Sequence, residues 1–230
     1  MKVIIKFILN IFDFFTQQKI LNALSGKFNY NNFSILVDVG SHKGEYINSI
    51  KKKFNIEKIY GFEPNPDIYK ILKKKIIDKK INLFNYGISN KSGKINFYKN
   101  LETSSSTINK LNTNSKYYKK KYLLLNFFKS NKVEKKIEIN VLRLDEFMQS
   151  NKIHKIDLIK IDTEGYEFTV LKSLDKKIKD VRIIHFEHHF DDMIIKNYKL
   201  TDIHNYLSVN GFTKFYKIKM KFRKSFEYLY

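Results

Sequence analysis

The sequence predicts an α/β fold in which a mostly parallel sheet is covered by helices on both faces. From residue 34 onward, short apolar runs rich in β-branched residues alternate with lysine-bearing segments of helical character. The same rhythm returns at residue 156 after a less regular middle. Alternating strands and helices are typical of parallel sheets. Because 230 residues with 43% hydrophobic content suit one large core, and no internal repeat or proline-rich linker appears, we predict one domain.

The individual elements follow from local patterns. We predict strands at residues 34–39, 59–62, 81–86, 94–99, 137–143, 156–161 and 181–186, and a terminal hairpin from 212–218 and 225–230. We predict helices from Gly40 to Phe54, from Asn65 onward, near 145–147, at 166–174 and at 201–210. The best-marked helix start is Asn65-Pro66, because asparagine is a good N-cap and proline is favoured at the first helical position.

Two segments do not follow the alternation of strands and helices: the N-terminus and an insertion in the middle of the chain. Residues 1–30 are predicted to form an amphipathic helical segment, and residues 31–230 the main domain, with an insertion near residues 101–130. The apolar positions Ile4, Ile5, Ile8, Ile11, Phe12 and Phe15 lie near helical spacing. Lysine, asparagine and aspartate interrupt this run, which is too short to span a membrane. The helix therefore either packs on the domain, which we favour, or lies on a membrane surface.

The charge balance of +21 raises the question of nucleic-acid binding. Only Arg143, Arg182 and Arg223 among the 44 basic residues are arginines, and arginine is the residue best suited to phosphate and guanine recognition. We therefore expect no nucleic-acid partner. The chain has no cysteine, which fits a reducing compartment, and no cleavage site typical of a signal peptide follows the N-terminal run. We expect a cytoplasmic protein, with peripheral membrane contact through residues 1–24 as an alternative.

Glycines and acids stand at the ends of the predicted strands. Asp38 and Gly40 end the first strand, and Glu63 ends the second, 25 positions after Asp38. In open α/β sheets, ligands bind beyond the carboxyl ends of the strands, and an acid at this spacing binds ribose hydroxyls. Since the glycine spacing is D-x-G-x-x-x-G rather than G-x-G-x-x-G, we expect a nucleoside site without a pyrophosphate.

Six segments carry a resemblance to a known family: VDVGSHKGEY, YGFEPNP, NLFNYGISNKSGKINFY, LRLDEF, DLIKIDTEGYEFTVLKSL and IIHFEHH. In this order, across residues 35–190, they resemble the FkbM-type S-adenosylmethionine-dependent methyltransferases. FEPNP and KIDTEGYE are the most specific segments; the N-terminal 30 residues, the 108–130 stretch and the tail are not covered. The resemblance implies a class I methyltransferase fold, with a seven-stranded, mostly parallel sheet whose final strand is antiparallel. It also implies methylation of a hydroxyl oxygen on a sugar, glycan or secondary metabolite. The alternative, an RNA methyltransferase, is based on the basic surface of the chain and not on the resemblance.

The resemblance also implies roles for individual residues in binding S-adenosylmethionine. By this resemblance Asp38, Gly40 and Ser41 would line the methionine and sugar part, Glu63 would hold the ribose, and Gly87 with Ile88 would flank the adenine. Asp162 would lie near the methionine amino group and the methyl donor. The acids of the stretch DLIKIDTEGYEF would then face the site, while Phe168 and Leu171 pack behind it.

An alcohol must lose its proton when it is methylated, so we expect a general base. The candidates are Glu164, His188 and His189, and a histidine of near-neutral pKa is the natural choice. Neighbours on a strand point to opposite faces, so the sequence leaves open which histidine faces inward. We expect at least one of the two to be an exposed surface residue. With His188 and Glu164, Asp162 completes the predicted catalytic set.

Two further groups of polar residues leave alternatives open. Oxygen and nitrogen ligands from Asp145, Asp162, Glu164, Glu187 and His188 could hold a divalent cation. No tight ligand spacing supports this, so we predict no metal site. The hydroxyl-rich stretch from Thr103 to Thr107 is either an acceptor-contacting loop or a flexible turn.

Overall fold

The computed structural model describes residues 2–99, 106–110, 112–119 and 135–230, with side chains from residue 11 onward. Its helices are α1 (Lys2–Gly26), α2 (Glu45–Lys53), α3 (Pro66–Lys75), α4 (Leu144–Ser150), α5 (Glu167–Lys172) and α6 (Leu200–Val209). Its strands are β1 (Asn32–Val39), β2 (Asn55–Phe62), β3 (Ile81–Phe84), β4 (Gly87–Ile88), β5 (Gly93–Lys99), β6 (Lys135–Leu142), β7 (Ile156–Ile161), β8 (Val181–His189), β9 (Tyr216–Lys219) and β10 (Ser225–Leu229).

Seven strands form the main sheet, in the order β3-β2-β1-β7-β8-β10-β9. Strands β3, β2, β1, β7 and β8 pair in parallel, whereas β10 is antiparallel to both of its neighbours. This arrangement confirms the predicted class I methyltransferase fold, including its antiparallel final strand and the terminal hairpin. The strands predicted at 94–99 and 137–143 instead belong to a second, three-stranded sheet with the order β4-β6-β5.

Apolar side chains are buried on both faces of the main sheet. The neighbours Leu36 and Val37 on β1 are both 0% exposed, and they belong to different clusters of the core. Every residue of β7 is buried. Covered faces on both sides explain why these strands are nearly continuous apolar runs rather than alternating ones.

The bounds of three strands differ from the prediction. Strand β2 begins at Asn55, four residues before its predicted start, and β3 ends at Phe84 rather than at residue 86. Strand β8 runs to His189, three residues beyond its predicted end, because Ser225 at the start of β10 pairs with it. The start of α3 is as predicted: the Asn65 side chain accepts a hydrogen bond from the backbone N–H of Asp67 at 3.1 Å.

The predicted N-terminal helix is present as α1, and its last two turns pack on the sheet. Leu21 and Leu24 are buried in the cluster that contains Leu36. Earlier on the helix, Phe14 and Phe15 are 54% and 56% exposed. Among the described residues, no helix is long and apolar enough to cross a membrane.

Part of the predicted insertion lies outside the described residues, namely 101–105, 111 and 120–130. The role of residues 103–105 therefore stays a prediction. The described part begins at Ser106, and Thr107 forms an isolated antiparallel bridge with Tyr98 of β5. Because β5 belongs to the three-stranded sheet, this bridge attaches Thr107 to that sheet.

Candidate active site

The carboxyl ends of β1, β2 and β7 open onto a cavity of about 1000 Å³. The residues that line it include Gly40, Ser41, Glu63, Gly87, Ile88, Asp162 and Glu164, all predicted from the sequence. Strand ends in a parallel sheet meet at one edge, and this is where open α/β folds bind ligands. Three predicted residues, Asp38, His188 and His189, are not among the lining residues.

The ends of β1 and β7 approach each other at Gly40. A Cβ atom at this position would lie 2.0 Å from the carbonyl oxygen of Asp162, and the backbone has φ +87°. The backbone N–H of Asp162 donates to the carbonyl of Val39 at 2.9 Å. Only glycine fits this contact, since any side chain would collide with the backbone. The contact places Ser41 and Asp162 at the same wall of the cavity.

Glu63 is held rigidly at the end of β2. Its carboxylate accepts hydrogen bonds from the backbone N–H groups of His42 at 2.9 Å and of Asn65 at 2.8 Å. Burial raises the pKa of Glu63 to about 7, and the bond from Asn65 opposes that shift. Each carboxylate oxygen retains a further lone pair for a ligand hydroxyl, which suits Glu63 to a pair of ribose hydroxyls.

Asp38 lies behind the lining residues. It is 1% exposed, and its Oδ2 atom has no hydrogen-bond partner among the described atoms. Burial raises the pKa of Asp38 to about 7, although the charge of Lys160 opposes this. An orphaned buried carboxylate oxygen is costly for the fold, so its position calls for a ligand or a functional reason.

The three acids of DLIKIDTEGYEF have different surroundings. Asp162 and Glu164 line the cavity, whereas Glu167 accepts bonds from the backbone N–H of Gly165 at 2.8 Å and from the Tyr198 hydroxyl. Glu167 therefore fixes the turn rather than facing the ligand. As predicted, Leu171 is buried in the core and Phe168 packs against it.

Glu164 sits in a strained turn that a neighbouring segment holds in place. Its φ is 52°, in the left-handed region that non-glycine residues rarely adopt. The Thr107 hydroxyl donates to the carbonyl oxygen of Glu164 at 2.8 Å, and the Asn109 amide donates to that of Gly165. The described part of the insertion thus stabilises the turn that carries Glu164.

His189 bridges two carboxylates at the cavity. Its Nε2 atom lies 3.2 Å from Oε2 of Glu164 and 3.3 Å from Oε1 of Glu187, and its Nδ1 lies 3.6 Å from Oδ2 of Asp191. Burial alone would lower the pKa of His189, but Glu164 and Glu187 raise it to about 10. Burial raises the pKa of Glu187 to about 7, and His189 opposes that shift. At neutral pH, His189 is therefore an imidazolium between two acids.

The predictions for the two histidines need correction. Both are buried, His188 at 4% and His189 at 6% exposure, and both pair with residues of β10 at the end of β8. His188 points away from the cavity and contacts the rings of Phe190 and Tyr198. Burial lowers its pKa to about 3. Neither histidine has a near-neutral pKa, so the carboxylates are the better proton acceptors.

A second buried charge network forms the floor of the cavity, and the sequence prediction missed it. Lys160 Nζ lies 3.3 Å from Glu227 Oε2 and 3.6 Å from Asp162 Oδ2. His185 Nε2 lies 2.8 Å from the same Glu227 oxygen. Burial would raise the pKa of Glu227, but Lys160 and His185 lower it to about 2. The sequence contained an indication of this network, because a lysine such as Lys160 inside the apolar run of β7 requires a buried partner.

The structure separates the residues of the metal alternative. Asp145 pairs with Arg143, whose Nε lies 2.9 Å from Asp145 Oδ1, and His188 faces away from the cavity. Within the described ranges, no three His, Asp or Glu side chains come together as a metal-binding group.

The profile of the methyltransferase FkbM domain matches residues 38–214, more than three quarters of the chain. The chain belongs to the FkbM methyltransferase family. The match begins at Asp38 and contains the cavity residues of β1, β2, β7 and β8. It leaves out α1 and the β9–β10 hairpin of this FkbM domain.

Three known proteins resemble this FkbM domain. The hexuronic acid methyltransferase AglP of Haloferax volcanii is 27% identical over 157 residues, which are 67% of this chain and 56% of AglP. An FkbM methyltransferase from Methylobacillus flagellatus KT superposes with a TM-score of 0.56 at 16% identity, over 91% of this chain and 48% of that one. The methyltransferase domain of METTL16 superposes with a TM-score of 0.50 at 9% identity, over 91% and 64% of the two chains. The two structural likenesses show the fold.

We predict that Asp38 makes the protein less stable as the pH rises. Its folded-state pKa of about 7 lies above the ordinary 3.8, so the folded state binds the proton more tightly. Stability from this group is complete below about pH 4 and is lost as the pH rises through 7. Asp38→Asn removes this titration. The difference in the free energy of unfolding between the variant and the wild type, measured by urea unfolding, should therefore grow by about 3 kcal/mol in favour of the variant from pH 5 to pH 8.

The exposed Asp67 provides the matched control for this measurement. Its pKa is lowered by the bond from Lys99, so Asp67→Asn should give no gain in stability at pH 8. If the free energy of unfolding changes with pH in the same way in the wild type and in Asp38→Asn, Asp38 does not carry a buried, destabilising charge.

Proposed function

We propose that this chain is an S-adenosylmethionine-dependent O-methyltransferase that acts on a hydroxyl of a sugar or glycan. The observation that carries the proposal is the convergence of Gly40, Glu63 and Asp162 on one cavity that also contains Glu164. A nucleoside-binding edge and a proton-accepting group then share one site, which is what methyl transfer to a hydroxyl requires.

The lining residues fit the cofactor. The close approach at Gly40 leaves backbone exposed to a ligand, and Glu63 offers two fixed carboxylate oxygens for ribose hydroxyls. Gly87 and Ile88 also line the cavity, and Gly87 lies beside Pro64 just after β2, so these two residues would flank the adenine. Asp162 would face the amino group of the methionine part. When bound, the cofactor supplies an electrophilic methyl group on a sulfonium.

The proton of the acceptor hydroxyl would pass to Glu164. This carboxylate lines the cavity on the turn that follows Asp162, so it lies beside the proposed methyl-donor position. The imidazolium of His189 stabilises the ionised form of Glu164, so His189 acts as a positioning residue rather than as the base. This replaces the sequence-based proposal for His188.

The acceptor class is supported by one relative and by the charge of the cavity. AglP, which is named a hexuronic acid methyltransferase, matches 67% of this chain, although the chain spans only 56% of AglP. Seven Asp or Glu residues line the cavity, against four Lys or Arg residues. Such a lining disfavours a polyanion at the reacting centre, so we favour a sugar over RNA.

Peripheral membrane contact through residues 1–24 is a further part of this proposal, as is a cytoplasmic location. The exposed Phe15 of α1, which does not line the cavity, supports membrane contact, because aromatic side chains favour the membrane–water interface.

We predict that the protein binds S-adenosylhomocysteine and that Glu63→Ala weakens this binding by about 1–3 kcal/mol. The reason is the loss of hydrogen bonds from two hydroxyls to a charged group. Isothermal titration calorimetry measures the affinity. Glu57→Ala, an exposed position on the same strand, is the matched control and should bind like the wild type. If the folded wild-type protein binds no S-adenosylhomocysteine, the proposal is wrong.

We predict that Glu164→Gln lowers turnover by ~100- to 10,000-fold and leaves the affinity for S-adenosylhomocysteine nearly unchanged. A proton acceptor acts in the transition state, whereas the cofactor would be held mainly from β1 and β2. The readout is transfer of labelled methyl to a glycan fraction, with Glu187→Gln as the comparison. A larger loss in Glu187→Gln than in Glu164→Gln would move the base to Glu187.

A further inference from the structure

One wall of the cavity comes from segments outside the family match. Asp13, Phe14 and Gln17 of α1 line it, and so do Met220 and Arg223 near the β9–β10 turn. The whole cavity, at about 1000 Å³, lies at the upper end of the ~300–1,000 Å³ typical of small-molecule sites. It therefore has room for a second ligand beside a nucleoside cofactor.

The β9–β10 turn and the end of β8 lie at the same edge of the sheet. Strand β10 is antiparallel to β8, and Glu227 pairs with Glu187 in the ladder. The turn that precedes β10 therefore stands over the carboxyl end of β8, where Glu187 and His189 lie. Burial alone would lower the pKa of Arg223, but the nearby charges of Glu187 and Asp13 raise it. This wall is thus next to the proposed proton acceptor.

Helix α1 presents alternate sets of side chains to the cavity and to solvent. Asp13 and Gln17 are four residues apart, so they share one face of the helix, and both line the cavity. Phe14 lines it too. Their direct neighbours in sequence, Phe15 and Gln18, do not line the cavity. The chain therefore contains matched pairs of residues, one inside and one outside this wall.

Asp13 and Arg223 join the two segments of the wall. The Arg223 guanidinium donates through Nη2 to Oδ2 of Asp13, and both side chains are about one-third exposed, at 32% and 33%. A guanidinium has five N–H donors and a carboxylate has several lone pairs, so each group retains capacity for a ligand. The Gln17 amide adds both a donor and an acceptor.

We propose that Asp13, Phe14, Gln17 and Arg223 form the acceptor subsite and that it binds a neutral sugar ring. Planar polar groups in a fixed array can bond neighbouring ring hydroxyls in pairs, and the Phe14 ring offers an apolar face to the C–H side of the sugar. This inference rests on the proposed function and deepens it by naming the residues that bind the methyl acceptor.

The choice of a neutral sugar over a uronic acid follows from charge. The ion pair with Asp13 already balances the one arginine of this wall. The rest of the lining has six Asp or Glu residues against three lysines, so an added carboxylate would meet net negative charge even with the His189 imidazolium beside Glu164. The hexuronic acid of the relative's name would therefore fit this subsite less well than the corresponding hexose.

Saturation-transfer NMR on the full chain, saturated with S-adenosylhomocysteine, tests the subsite. The probes are methyl glycosides of glucose, galactose and mannose, and of the matching uronic acids. At least one neutral glycoside should bind, and its uronic counterpart should bind more weakly. Phe14→Ala and Gln17→Ala should each weaken sugar binding by ~5-fold or more, whereas Phe15→Ala and Gln18→Ala should not. All four variants should keep the wild-type affinity for S-adenosylhomocysteine.

The outcomes separate the two levels of the proposal. If the cofactor product binds but every neutral glycoside fails, or if the inside and outside variants behave alike, the acceptor subsite is wrong and the methyltransferase proposal stands. If a uronic acid binds more tightly than its hexose, the neutral-sugar assignment is overturned. If S-adenosylhomocysteine itself does not bind, the proposed function fails, and this inference fails with it.

Discussion

The close approach of two backbones at Gly40 organises the site. A Cβ atom there would lie 2.0 Å from the carbonyl oxygen of Asp162, so the ends of β1 and β7 could not both keep their positions with any other residue. Because they do, Ser41 and Asp162 share one wall, and Glu164 follows on the next turn. The central pair of strands thus determines where the proposed cofactor-binding residues and the proposed proton acceptor meet.

Buried charge is the cost of this arrangement. Asp38, Glu63 and Glu187 are each buried with a raised pKa. The cations Lys160 and His189 partly offset this by pairing with acids in the same region. Replacing buried ion pairs by apolar residues is often neutral or stabilising, so stability does not explain their presence. Their position around one cavity is better explained by ligand binding and catalysis.

The sequence predicted the parts of the structure that depend on local pattern. The mostly parallel seven-stranded sheet, the Asn65 cap and the cavity positions of Gly40, Glu63 and Asp162 follow from periodicity, turn chemistry and the family resemblance. The histidines could not be assigned in this way, because their surroundings depend on β10, a strand more than 30 residues away in sequence. The α1 wall was missed for the same reason: the Asp13–Arg223 pair joins residues 210 positions apart.

The most direct test of this account is transfer of a ¹³C-labelled methyl group from S-adenosylmethionine into fractionated cell extract. We expect the label in a carbohydrate fraction, with a carbon resonance in the region of methyl ethers, and with strong dependence on Glu164. Label in RNA, or on nitrogen or carbon of any acceptor, would contradict the proposed sugar O-methylation.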